Sequence, residues 1–424
     1  MHAEGWRRSF WFLVACCVAV ALVSSCNDAN DEDDDRQSPV VLPQEAAFYT
    51  GLPVLIIETP DSQPVNSKTE WVANARMTLL SATGEQRMTA SIRGRGNVTW
   101  KRYPKKPYSL KLSKKAELLG MKAAKRWVLL ANWADRTLLR NDVAFEMARR
   151  TLLEWTPHGE PVELVLNGVY RGSYYLCEKI QIHSSRLDIP ELDEADDADS
   201  ITGSFLMELD EYFDEVNKFR SAVYALPYEF RNPDAETLTS SQFAYMEQYV
   251  KGLELSLADD HALQRGDYKA WLDPLTFVDW WVVNELCYNK ETGKPRSVYV
   301  YKPRGKTMKA GPVWDYDFST FTLHEDVYVA KNFPYLRCLF RSPDFQQLAK
   351  QRWTELRPVM EGMSDYIDQR ASLIRLSAAQ NTLLWPITSK GNGDEQLTFD
   401  EAVERMKSSL TLRMAVIDRF LAKF

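Results

Sequence analysis

The sequence predicts an α+β protein, β-rich in its N-terminal part and mostly helical in its C-terminal part. Three observations predict this. Short apolar runs bounded by turn residues crowd residues 52–112, and an Asn-Gly pair separates two apolar runs at Asn167-Gly168. From Thr398 onward, apolar residues recur at helical spacing. Strands early, mixed elements midway and helices late fit a core in which the two kinds segregate.

The chain opens with an export layout. Arg7 and Arg8 precede an apolar run from Phe10 to Val23, and Val23-Ser24-Ser25-Cys26 closes the segment. At about fourteen residues the run falls short of the roughly 20 that span a bilayer. Residues 1–25 therefore read as a lipoprotein signal peptide, cleaved ahead of a lipidated Cys26; an ordinary secretory signal with an incidental cysteine is the alternative. Asp28, Asp31, Glu32, Asp33, Asp34 and Asp35 follow. Such a block cannot bury enough surface to offset its chain entropy, so residues 26–45 read as a solvated tether. It resembles the acidic stretch behind the lipid cysteine of many surface-exposed lipoproteins. The expected location is the cell envelope, lipid-anchored at the outer membrane, on either its periplasmic or its surface side, with residues 46–424 as the folded body.

The chain carries 52 basic and 59 acidic residues, a net charge of −7. Removing the three basic and seven acidic residues of the first 36 leaves 49 against 52, so the body is nearly neutral. Nothing in that balance points to nucleic acid. Cys177, Cys287 and Cys338 remain after the leader, an odd number that suits buried thiols better than a disulfide framework. Thirteen tryptophans and 19 tyrosines suggest either sugar-stacking platforms or, for most of them, core.

Strand patterns run over Leu52–Glu58, Trp71–Leu80, Met88–Arg93 and Tyr108–Leu112, separated by turn residues. Leu139, Val143 and Met147, with Ala144, Ala148 and Leu152, predict a helix from about Arg136 to Leu153 capped by Asp135. Pro161–Leu166 and Tyr170–Ile182 flank the Asn-Gly turn as a hairpin. Glu191–Ser200 reads as an acidic surface loop and Ser204–Leu209 as a strand. Phe243, Met246, Val250 and Leu253 mark a helix starting near Ser240. Asp273 before Pro274 predicts an N-cap and a helix to about Leu286. Ser297–Lys302 and Lys309–Trp314 read as strands, and Thr398 with Glu401 forms a capping box for the last helix.

Two stretches carry candidate chemistry. In Gly311-Pro312-Val313-Trp314-Asp315-Tyr316-Asp317-Phe318, an extended backbone would turn Asp315 and Asp317 to one side. Two close anions repel unless a cation or donors lie between them, and hard oxygen ligands suit Mg, Mn or Ca. A hairpin end with solvated aspartates is the plain alternative. In Arg93-Gly94-Arg95-Gly96-Asn97, glycines admit close backbone approach to an anion and the arginines supply charge. Tyr108–Leu112 would place Lys111 opposite Leu110 and Leu112, and the whole suits a polyphosphate. A solvated basic edge strand is the rival. The histidines lack zinc spacing, and neither a Rossmann fingerprint nor a Walker loop is present.

Four stretches in order resemble the CotH kinase family: Arg93–Asn97 with Lys105-Lys106-Pro107-Tyr108; Trp127–Asn141 with Asp135, Arg140 and Asn141; Leu166–Gly172 running to Glu178; and Ser297–Lys302 leading into Gly311–Asp317. The resemblance implies an atypical, rearranged protein-kinase-like fold that binds ATP and a divalent metal (Mg or Mn, or Ca). It implies metal-binding roles for Asp315 and Asp317, with Asn289 a further metal candidate. Arg93, Arg95, Lys106 and Lys111 are phosphate-side candidates, and Glu178 a partner for one of the lysines. Where relatives carry a catalytic aspartate, Asn289–Ser297 offers only Glu291, so Glu291 joins Asp317 as a catalytic candidate. The implied activity is transfer of phosphate to Ser or Thr of a secreted or surface protein. The alternative is a silent pseudokinase or a glycan-associated binding scaffold.

Overall fold

The computed structural model describes residues 42–191, 200–388 and 391–424. The signal segment, Cys26, most of the tether and most of the acidic loop fall outside the described residues. The N-terminal part is a seven-stranded closed barrel in the order β1-β2-β3-β4-β5-β7-β6. Its strands are β1 Val54–Glu58, β2 Val72–Ser81, β3 Gly84–Gly94, β4 Tyr108–Leu118, β5 Met121–Leu130, β6 Gly159–Leu166 and β7 Val169–Glu178. Neighbours run antiparallel except where β1 pairs in parallel with β6 and closes the barrel. Alternation fills the inside: Leu55 and Ile57 of β1, Ala90 and Ile92 of β3, and Leu110 and Leu112 of β4 form one buried cluster with Trp127.

β7 and β6 are joined at the expected Asn167-Gly168 turn, with both residues at positive φ. β5 carries no strand signal above its Lys122, Lys125 and Arg126, yet it links β4 to β7. Cys177, Cys287 and Cys338 are free and buried.

A second sheet, ordered β12-β11-β8-β10-β9, lies in the large core shared with the helices. It comprises β8 Phe205–Leu209, β9 Lys218–Arg220, β10 Pro227–Asn232, β11 Val298–Lys302 and β12 Lys309–Ala310. The expected strand Lys309–Trp314 pairs only over its first two residues, because Gly311 turns to positive φ and Pro312 has no N–H to offer a ladder.

The main helices are α1 Arg140–Arg149, α2 Ser240–Ala258, α3 Pro274–Leu286, α4 Pro343–Glu361, α5 Met363–Leu384 and α6 Phe399–Leu421. Asp273 caps α3 through the N–H of Leu275, and Thr398 with Glu401 completes the capping box of α6. The helix expected from Arg136 instead starts at Arg140, because Leu138 takes a positive φ. Asp135 still serves its start: its carboxylate accepts the backbone N–H groups of Thr137 and Arg140, each at 2.9 Å. The large aromatics are mostly core; Trp127, Trp281, Tyr228, Tyr268, Tyr316 and Tyr335 are fully buried, so their number gives no support to sugar-stacking platforms. Among the described residues no helix is long and apolar enough to cross a membrane.

Candidate functional site

A cleft of about 1330 Å³ opens between the barrel and the second sheet. On the barrel side it is lined by Arg93 and Arg95 at the end of β3, Ser109 on β4, Arg126 on β5 and Lys179 just past β7. Facing them are Glu208 and Asp210 from β8, Arg231 from β10, Glu291 and Ser297 before β11, and Asp315 and Asp317 after β12. The cationic turn near the start of the chain and the paired acids late in it therefore share one cavity.

The aspartates do not converge by the expected route. Asp315 adopts φ 68°, so the segment is not extended, yet the two carboxyls still come close enough for each to shift the other. Burial pushes Asp317 well above the usual carboxylate range, and the charges of Asp315, Asp135 and Glu291 add to it. Asp315 is also raised by burial, with Arg95 opposing and Glu208 reinforcing the shift. Ser297 Oγ lies 3.4 Å from Asp315 Oδ2.

Buried side chains from distant parts of the chain hold this segment. The Tyr316 N–H donates to Asn141 Oδ1, Asn392 Nδ2 donates to the Asp317 carbonyl at 2.9 Å, and Asn392 Oδ1 accepts the Ser319 N–H at 2.6 Å. Arg140 pairs with Asp135 at 3.1 Å, and its other nitrogens reach the Thr320 carbonyl and Asp394. Asp135, Arg140 and Asn141 thus act as scaffold beneath the aspartates.

Glu291 reaches the cleft with Arg296 at 3.3 Å, and burial beside Asp315 lifts its carboxyl to about 7. Asp210, absent from the sequence expectations, is lifted to about 7 by burial and then by Glu208. Among the described residues no group of three or more His, Cys, Asp or Glu is arranged to hold a metal ion. Two carboxylates still match the way Mg²⁺ is commonly held, by one or two acids plus phosphate and water.

Each of the two arginines keeps an unpartnered donor, although Arg93 Nη1 donates to the Thr69 carbonyl at 3.3 Å. Arg93 stacks its guanidinium 4.6 Å over Trp71 and Arg95 lies 5.2 Å over Trp314, while Arg93 Nε and Arg95 Nη1 are buried without partners. Buried donors without acceptors are costly, and an anion in the cleft would satisfy them. The glycines play a different part from the one expected: a side chain on Gly94 would meet the Trp100 indole at 2.4 Å, so the close approach there is to tryptophan.

Four expected site residues lie elsewhere. Lys106 donates to the Trp100 carbonyl at 2.6 Å and does not line the cleft. Lys111 shares the outer face of Arg126 but is exposed beyond the cleft. Glu178 pairs with Arg186 at 2.7 Å rather than with a lysine, because it faces away from the cleft. Asn289 is buried, accepting the Glu291 N–H and donating to Asn284, each at 3.0 Å; it caps a turn and does not line the cleft.

A family model described as CotH kinase protein matches residues 92–417, a span that takes in the cleft residues from Arg93 to Asp317. No curated protein matches the chain.

Proposed function

The chain belongs to the CotH kinase family, and from that premise we propose that the cleft binds ATP with a divalent cation and transfers phosphate to a Ser or Thr hydroxyl of a secreted or surface protein. The observation that carries this reading is the opposition, within one cavity, of the Asp315–Asp317 pair to arginines with unpaired buried donors. The kinase-like character of the fold belongs to the same proposal, supported by a barrel set against a second sheet that shares its core with the helices, with the cleft between barrel and sheet.

Arg93 and Arg95 would donate to phosphate oxygens and fix their orientation. Asp315 and Asp317, once deprotonated, would hold Mg or Mn, with Ca a weaker fit to two carboxylates. When bound, the cation supplies charge neutralisation at the phosphates. Glu291 would take the proton of an acceptor hydroxyl; it lines the cleft, and its lifted carboxyl suits a group that takes and returns protons near neutral pH. Asp317 is the second candidate for that task.

The test is ATP binding and transfer by the purified full chain with Mn²⁺ or Mg²⁺. Metal-dependent ATP binding that is lost in Asp315→Ala, with labelling of the chain or an acceptor from γ-labelled ATP, is the expected result. No ATP binding under any metal condition would end the reading. A silent nucleotide-binding member is the second reading, motivated by Glu291 standing in the stretch where relatives carry a catalytic aspartate. Binding without transfer would select it.

We also infer lipid anchoring at Cys26 and a place in the cell envelope at the outer membrane, on the strength of the basic start, the short apolar run and the acidic tether. Incorporation of a fatty-acid label that disappears in Cys26→Ala is expected. Equal labelling of both chains would exclude the anchor.

A further inference from the structure

We propose that Lys179 is the lysine that contacts phosphate in this cleft, completing a polyanion grip with Arg93, Arg95 and Arg126; this rests on the ATP reading above. The other lysines near the cleft are already engaged. Lys105 is fully buried, with its ammonium donating to Ala131 O and Asn381 Oδ1 at 2.8 Å and to the Ser173 carbonyl. Lys68 sits at the rim, bonded to Asn97 at 2.6 Å and 3.8 Å from Asp214. Lys106 and Lys111 do not line the cavity.

Lys179 lines it and has no hydrogen-bond or ion-pair partner among the described residues. Its position follows from strand geometry. Successive residues at the end of β7 turn to opposite sides, so Glu178 faces Arg186 and Lys179 faces the cleft. The charges that act on Lys179 are those of Arg126, Arg95, Arg231 and Arg93; together with burial, the larger cause, they bring its ammonium down to about 7. Arg231 is answered by Glu208 at 2.6 Å, by Glu215 and by Glu229 at 3.6 Å. Arg126 forms no ion pair among the described residues, and Arg93 and Arg95 keep unpartnered buried nitrogens.

Like charges gathered in a concave, partly dry site repel strongly unless a counter-ion joins them. Four cations contributed by β3, β5 and the end of β7, strands that lie side by side with β4, call for a ligand with several negative charges in a row. A nucleoside triphosphate has that form, and so does free polyphosphate.

The experiment compares ATP, inorganic tripolyphosphate and adenosine, each titrated calorimetrically into the full chain, Lys179→Met and Lys179→Arg. Loss of one charge-assisted contact should weaken ATP and tripolyphosphate by about 10- to 100-fold in Lys179→Met. Adenosine binding should not change, and Lys179→Arg should stay within about threefold of the parent. Thermal unfolding of ligand-free Lys179→Met should occur at or above the parent temperature, since a repelled charge has been removed; Lys179→Gln serves if the methionine chain does not fold. Parent-like tripolyphosphate binding by Lys179→Met overturns the inference and leaves the ATP reading intact. Lysine-dependent binding of tripolyphosphate with ATP no better than free polyphosphate supports the grip and removes the nucleotide. A parent chain that binds neither anion removes both.

Discussion

The N–H of Tyr316, the residue between the two cleft aspartates, donates a 2.7 Å hydrogen bond to Oδ1 of Asn141, at the start of α1. Asn141 is itself oriented, because its Nδ2 donates to Asn132 at 3.0 Å. The first turn of α1 thus ties down the backbone between the aspartates, and Asn392 holds the residues that follow.

Asn141→Ala should leave that buried N–H unpaired, at a cost of about 1–3 kcal/mol. Chemical denaturation reads the stability loss. Metal-dependent ATP binding should weaken further than stability alone requires, because the aspartates lose their fixed geometry. Unaltered binding would mean that Asn141 does not set the pair.

Arg140→Ala should be the most damaging change in the scaffold. It removes the cation between Asp135 and Asp394, all three being buried, and leaves two uncompensated carboxyls. Breaking such a buried group costs roughly 3–5 kcal/mol. A midpoint shift in denaturant within experimental error of the parent would contradict this.

Lys105→Met strands three acceptors that now share one ammonium, for a loss of about 2–4 kcal/mol at neutral pH. Burial lowers the Lys105 ammonium to about 7, against an ordinary value near 10.5. Between these values the unfolded chain binds the extra proton, so the parent gains stability as pH rises through that window. Urea midpoints of the two chains should therefore diverge from pH 7 toward pH 10.

Asp210 gives the opposite sign. Its folded carboxyl is lifted to about 7, above the ordinary range near 4, so the folded chain is the one that binds the proton between them. Stability from this group is complete below pH 4 and is lost as pH rises through 7. Asp210→Asn keeps an oxygen for the Tyr212 N–H and should unfold at a higher temperature than the parent at pH 8. The two curves should meet near pH 4, and a constant gap would assign the shift elsewhere.

Much of this was legible before the fold. Alternation in β1 to β4, the Asn-Gly hairpin and the caps at Asp273 and Thr398 are local signals, and local chemistry fixes them. So are the two motifs that meet in the cleft. The misses are matters of tertiary context. β5 hides behind Lys122, Lys125 and Arg126 because its outer face is wet or faces the cleft. Lys106 lies one residue from the buried Lys105, and nothing in Lys105-Lys106 says which ammonium has carbonyls around it. Lys179 has no motif at all; only the face it takes after β7 gives it meaning. Asp210 gives no signal in the sequence, because a lone acid after a strand looks like any turn residue.

The ammonium of Lys105 finds one of its three acceptors on Asn381, and the cleft loop takes its support from Asn392 and Asp394. During synthesis, then, all seven barrel strands emerge well before the residue that completes the housing of their buried charge. A ribosome that stalls after β7, or a nonsense change ahead of residue 381, would release strands that look complete and a cleft that cannot set, material suited to disposal by quality-control proteases rather than to partial function.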